Sequence, residues 1–334
     1  MHNLLEGCIR HNIKELMNYL SKTKIYSVQK LNRDLKNFNY GIVDSKNKVP
    51  DSLFTDNSTF KISATHTWTL LRLLPIFIGE ELKNNSYFLN FLEIIEIFKS
   101  LNNDEFDDIK LENLAASINN YLTEFKRLYK LNIIAKQHFL IHYPNIIKKF
   151  GPPLYYNTMR FEAKHSYFKS VHQSVHNHIN LNLSLVSRHQ NLQVYHLLCP
   201  NYFVDFELGT QHNIDFHLAS FINMFLPGEN YFYKWVVKRG IKYQLNNILA
   251  TSLQNNIPSF SIVKAIIYEN NSDIFFLLQD IQTLEYITYL ASYKIKENET
   301  MMKTLNIDNL KNKWPLDLYN YKDFKIITPK IPLK

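Results

Sequence analysis

The sequence predicts an α+β chain, with a mainly α-helical part over the first two hundred residues and a small antiparallel β-barrel-like domain after it. Three observations carry this prediction. Up to about residue 200, apolar residues recur at steps of three and four, the mark of helices with one buried face. Beyond about residue 225, short segments rich in β-branched and aromatic residues alternate with turn formers at Gly240, Asn255-Asn256 and Asn270-Asn271-Ser272-Asp273. A chain of 334 residues, 46% hydrophobic and 14% aromatic, is also long enough to bury a sizeable core.

The elements follow in order. Leu4, Leu5, Cys8, Ile9, Ile13, Leu16, Met17 and Leu20 line one face of an opening helix. Residues 32–56, rich in Asn, Asp, Ser and Lys and holding Gly41 and Pro50, read as a loop. Ser63 or Thr65 caps a helix running through Leu74, with a kink at Pro75. Tyr87 to Leu101 is a further helix, Asn102 to Asp108 an acidic turn, and Leu111 to Tyr129 the helix that the turn starts. Asp104, Glu105, Asp107 and Asp108 suit a helix-starting charge run better than a metal site. A helix from His138 carries Phe139, Ile141, Ile146 and Ile147, with a kink at Pro144 and an end near Gly151-Pro152-Pro153. The next starts around Thr158 and includes Arg160, Phe161, Glu162, His165, Phe168 and Lys169. Strands are expected at 231–238, 241–243, 248–253, 259–268, 274–280 and 288–296, which suits a small barrel. The organisation is then a helical region over 1–200, a linker over 201–228 around Pro227-Gly228, and a β-rich domain over 229–334.

Composition and motif searches exclude several classes. Glycine is scarce at 7 residues, and neither GxGxxG nor GxxxxGK[ST] occurs, against a glycine-loop nucleotide site. There is no GxSxG, and HFLIH at His138 to His142 lacks the general-base Glu of HExxH. No small-molecule substrate is evident. Cys8 and Cys199 stand far apart and make neither a disulfide framework nor a zinc ribbon, which points to a reducing, intracellular compartment. Trp68 to Gly79 is short and holds Arg72 and Pro75, so it reads as a buried helix and not as a membrane span. The net charge of +8 and pI near 9.1 suit a nucleic-acid partner, as they also suit many ordinary proteins. His165, His172, His176, His178, His189 and His196 crowd into 32 residues, and the first three share a face if that helix continues far enough. A zinc site needs a closed ligand set, and no cysteine lies close in sequence to His165, His172 and His176, so a polar helix face beside an acidic substrate is the plainer reading. By pattern alone, Glu162 is an i, i+7 neighbour of Lys169 or a salt-bridge member.

Three stretches resemble one known family. Met1-His2-Asn3-Leu4-Leu5-Glu6-Gly7 resembles the D-x-M-H-D-L-L-E-G segment of CACTA-type DNA transposases and their transposon-derived relatives. WTLLRLLPIFIG, Trp68 to Gly79, is similar to their buried helix. HFLIHYPNIIKKFGPPLYYNTMRFEAKHSYFK, His138 to Lys169, resembles the family's H-x-x-x-H-Y-P…F-G-P…M-R-F-E-A-K-H-x-x-F-K almost position by position. PSFSIVKAIIY and WPLDLYNYKDFKIITPK are similar to its C-terminal β-rich region. The resemblance implies an RNase H-like core, here a remnant, whose three carboxylates hold two Mg²⁺ ions around a large helical insertion. It implies that Glu162 is the last of those carboxylates and a metal ligand, and that Arg160, Lys164, His165 and Lys169 face DNA phosphates.

The departures set further expectations. The family pattern has one acidic ligand two residues before Met-His and another further upstream, whereas this chain begins at that Met and has Asn3 where Asp is usual. One carboxylate cannot position two Mg²⁺ ions, so the chain as given is expected to be truncated, not to bind Mg²⁺ alone, and not to cut or join DNA. A domesticated nucleic-acid- or protein-binding module without catalysis is the alternative reading, nuclear if functional. Deprived of core strands, helices at Leu4 to Leu20 and Thr158 to Val171 are expected to expose apolar faces.

Overall fold

The computed structural model describes residues 2–53, 60, 62–156, 159–175, 179–199, 206–254, 257–269 and 273–333, with the backbone alone at 159–163, 216, 217, 220, 254 and 298–300. Helix makes up about 51% and strand about 24% of the chain. The two are segregated: among the described residues α1 to α9 all precede residue 200, and only α10 follows.

The opening helix forms as the periodicity requires, as a π-helical turn over Leu4–Ile9 that runs into α1, Arg10–Lys22. Its face does not lie bare. Leu5, Cys8, Ile9, Ile13, Leu16, Met17 and Leu20 are fully buried, so the expected exposure is corrected. Helices cover it: α3 (Ala64–Leu82), α4 (Ser86–Leu101) and the short α6 (Ala135–His138). Each buried Leu or Ile contributes roughly 1.5–3 kcal/mol of gross transfer free energy, so this stripe anchors the helical layer.

Ser63 caps α3 by accepting a hydrogen bond from the His66 amide, and α3 runs on past Pro75 to Leu82. Asn85 caps α4, and Asp107 caps α5, Asp108–Tyr129, by accepting from the Lys110 amide. That capping explains the acidic turn. The expected loop over 32–56 begins late, because α2 spans Val28–Asn37 and buries Leu31 and Leu35. Its apolar residues are too few and its polar ones too many for the pattern to show in sequence.

From α6 the chain passes through a 3₁₀ turn at Phe139–His142 into α7, Tyr143–Phe150, where Pro144 sits in the first turn and its missing N–H costs nothing. Gly151, with φ of 79°, stops α7 in a backbone region that disfavours side chains. After a 3₁₀ turn at Pro153–Tyr155 come α8, Met159–Ser174, and α9, Leu181–Leu198. Thr158, the expected start of α8, lies outside the described residues. The expected linker carries β1 (Phe206–Leu208) and α10 (Phe216–Phe225).

The β-rich part is antiparallel throughout but is not a barrel. β2 (Asn230–Tyr233), β5 (Ile248–Gln254), β6 (Ile257–Glu269), β7 (Ile274–Ile287), β8 (Ser292–Asn306), β9 (Leu318–Tyr321) and β10 (Phe324–Ile327) form a seven-stranded sheet in the order β2-β6-β7-β8-β10-β9, with β5 also on β6. β1, β3 (Trp235–Lys238) and β4 (Ile241–Gln244) form a separate three-stranded sheet. One bridge joins Ile248 to Leu316 across the edges and does not continue as a ladder, so the large sheet stays open. The expected strand over 274–280 continues to Ile287, and the next begins at Ser292 after a turn with Ala291 at φ 50°. Polar Gln282, Thr283 and Glu285 hide that continuation in sequence. The β7–β8 pairing runs on to Ile287 opposite Ser292 and ends beside α4, where Lys99 Nζ donates to Tyr286 Oη at 3.0 Å.

The two parts share a core. Leu290, Ala291, Tyr319, Tyr321 and Ile326 belong to the same apolar cluster as α1, α3, α4 and α5. A Cβ on Gly79 would overlap the Tyr289 carbonyl oxygen, so glycine is what lets α3 approach that turn. On the sheet, Val263 and Ile266 face one apolar cluster while Ala265 and Ile267 face another with Ile222 and Leu226 at α10. Burial on both faces explains the near-continuous apolar run of β6.

Candidate nucleic-acid interface

The structure brings the first two resembling stretches and the start of the third into one neighbourhood, with Leu4, Leu5, Leu70 and Leu140 in one apolar cluster. A Cβ on Gly7 would collide with the Lys136 side chain, and Cys8 Sγ donates to the Lys136 carbonyl oxygen at 2.9 Å. Lys136 Nζ reaches the His2 carbonyl at 3.3 Å. The Trp68–Gly79 stretch lies within α3 against that same opening turn. Buried polar groups pin the cluster: Tyr121 Oη accepts from Asn12 Nδ2 and from Gln137 Nε2, each at 3.2 Å. Burial pushes the Cys8 thiol up to about 12, against the weaker effects of its backbone hydrogen bond and the Lys136 charge.

Position 162 lies on α8, and helical register puts it on one face with 165 and 169. The side chains of Arg160 and Glu162 are outside the described residues. Lys164, His165 and Lys169 are exposed, and Lys164 Nζ stands 4.9 Å from the centre of the Tyr167 ring. The opposite side of α8 rests on α9, where the Tyr167 and Phe168 rings lie 5.9 and 5.5 Å from that of His189. None of the described side chains of α8 or α9 is fully buried, so this hairpin stands off the core. The helix ends at Ser174, before His176, which with His178 falls outside the described residues. No group of three His, Cys, Asp or Glu side chains suited to a metal occurs among the described residues. The described side chains nearest position 162 along α8, Lys164 and His165, offer no carboxylate oxygen, the ligand that hard Mg²⁺ prefers.

The charge is concentrated. Ten of the 38 Lys and Arg and one of the 30 Asp and Glu, Glu162 itself, lie between residues 126 and 204, leaving 28 against 29 elsewhere. The whole positive excess therefore belongs to the segment carrying α6 to α9. Lys148 and Lys149 on α7, Lys164 and Lys169 on α8 and Arg188 on α9 are all exposed within it. Lys148 pairs with exposed Asp108 at 3.3 Å, a contact worth little in water. The concentration was readable in the sequence, but a whole-chain net charge conceals it.

Sequence reasoning also missed a buried ionic cluster whose members lie up to 286 residues apart, from Asp44 to Lys330. Arg72 Nη2 meets Asp44 Oδ1 at 2.7 Å, Lys330 Nζ meets the same oxygen at 3.4 Å, and the Tyr319 hydroxyl donates to Asp44 Oδ2. Asp317 accepts from the Val43 and Asp44 amides at 2.9 and 2.7 Å. Burial would raise the Asp44 carboxyl, but the charges of Arg72 and Lys330 and the hydrogen bonds hold it well below the usual carboxylate range. Asp317 moves the other way, raised first by burial. This cluster ties residues 41–44 and α3 to the C-terminal strands, with Arg72 Nε left without a hydrogen-bond partner.

Among the described residues no helix is long and apolar enough to cross a membrane. No protein-family model, no curated protein and no solved structure matches the chain.

Proposed function

We propose that the chain is a transposon-derived protein resembling CACTA-type transposases with an RNase H-like two-metal core, and that these residues bind nucleic acid without cutting it. The observation that carries the reading is the placing of the whole positive excess in residues 126–204, the segment that also holds the longest resembling stretch. Exposed lysines on successive helices suit a phosphate backbone, where contacts position the protein and carry no sequence information. Glu162 is the one carboxylate that the resemblance assigns in these residues, and one carboxylate does not hold two Mg²⁺ ions. In this reading Arg160, Lys164, His165 and Lys169 contact phosphates, and the protein works in the nucleus. The test is anisotropy of labelled duplex and single-stranded DNA with the full chain, followed by incubation with Mg²⁺. Salt-sensitive binding with intact strands is expected. Cleavage lost in Glu162→Ala would restore the enzyme reading, and no binding at low salt would overturn the proposal.

A further inference from the structure

Helix α9 is apolar on two opposite sides. Leu181, Leu185 and Leu192 are half-buried, on the side that His189 shares with α8. On the other side Leu183, Val186, Val194 and Leu197 are 66%, 52%, 52% and 73% exposed, with exposed Gln190 between them. A helix apolar on both sides is one with two partners, and α8 supplies one.

The outer stripe has an internal symmetry. Its members lie four and seven residues on either side of Gln190, so it reads Leu, Val, Gln, Val, Leu in both directions. At about 100° per residue all five fall within an arc of about 80°. The average step is that of a coiled-coil seam with one polar position, the kind that fixes register. No Lys, Arg, Asp or Glu falls in the arc, and Arg188 lies on the opposite side, so two such stripes meet without like-charge repulsion.

We infer that a second copy of this chain covers this stripe, by antiparallel pairing of α9 about a two-fold axis at Gln190. Leu183 then packs on Leu197 of the second copy, Val186 on Val194, and the two Gln190 amides bond to each other. Such an isologous contact closes at two copies. With Leu198 and the polar flanks Asn182, Ser187 and Gln193 included, the pair buries on the order of 1,000 Å², the low end of specific interfaces. The dimer is therefore reversible, with a Kd on the order of micromolar.

The test is sedimentation velocity of the full chain, nuclease-treated, from about 1 to 100 μM in about 0.5 M salt, where nucleic-acid bridging is suppressed and apolar pairing is not. A concentration-dependent dimer is expected. Val186→Glu and Val194→Lys should each weaken it by about 100-fold or more, because each buries an unpaired charge against a valine. Both positions are exposed in the monomer, and unchanged circular dichroism will confirm folded chains. The double variant V186E/V194K should dimerise again, since antiparallel pairing sets the introduced carboxylate at position 186 against the introduced ammonium at position 194 twice. A wild-type chain that stays monomeric to about 100 μM, a V186E chain that dimerises like wild type, or a double variant that stays monomeric would each overturn the inference. Loss of DNA binding alone would leave it standing, because the outer stripe carries no phosphate contact.

Discussion

Replacing Arg72 by Met removes the guanidinium from the most buried ion pair described in the protein. The side chains of Arg72 and Asp44 are 5% and 2% exposed, and their closest atoms lie 2.7 Å apart. Removing one partner of such a pair typically costs about 3–5 kcal/mol, because the remaining charge stays buried without compensation. Lys330, at 3.4 Å from the same carboxylate oxygen, and the Tyr319 hydroxyl remain, which favours the lower end, about 3 kcal/mol. Urea unfolding at neutral pH measures it. D44L/R72M, with the charge removed from both sides, should recover much of the loss. The dependence on pH has a definite sign. Asp44 is held below its unfolded value, so its contribution is complete above the ordinary carboxylate range and is lost as pH falls through its depressed folded value. Asp317 is raised, so it opposes folding while ionised, and that opposition lifts as pH falls through its folded value. The gap between wild type and R72M should therefore narrow in acid. A variant within about 1 kcal/mol of wild type, or a gap unchanged between about pH 7 and 3, would refute this account of the cluster.

Further predictions concern the packing that joins the parts. Gly79→Ala drives a methyl group into the Tyr289 carbonyl and should destabilise by about 1–3 kcal/mol in urea melts, while no change in stability would deny the close approach of α3 to that turn. Tyr121→Phe leaves Asn12 and Gln137 without their shared acceptor and should cost about 1–3 kcal/mol, and a neutral result would mean that water satisfies them. At about pH 8 iodoacetamide should label Cys199, which is partly exposed, and spare Cys8, whose thiol is buried and pushed up to about 12. Mass spectrometry should find Cys8 labelled only after denaturation.

Local chemistry made much of this fold legible. Ser63 and Asp107 cap where their side chains suggest, Gly151 stops α7, and the Leu4–Leu20 stripe forms one helix face as its period demands, although that face is buried where exposure was expected. Long-range choices were not legible. Whether β5 and β9 close a barrel depends on geometry beyond any one strand, and a single bridge at Ile248 leaves the sheet open. The continuation of β7 to Ile287 was hidden because its last residues, paired with β8 but largely exposed, include polar Gln282, Thr283 and Glu285. The Asp44 cluster was hidden because its partners are remote in sequence. At the candidate interface, the sequence located Lys164, His165 and Lys169 on one helix, while the isolation of that helix from the core depends on tertiary packing.

The most direct test of the proposed nucleic-acid interface is the salt dependence of duplex DNA binding by wild type and by the K164A/K169A variant. Each phosphate left without its lysine should reduce the slope of log K against log salt by about 0.9, so the variant should bind more weakly with a slope shallower by about 1.8. Both side chains are exposed, so its stability should match wild type. An unchanged slope and affinity in a folded variant would contradict the claim that α8 faces the phosphates.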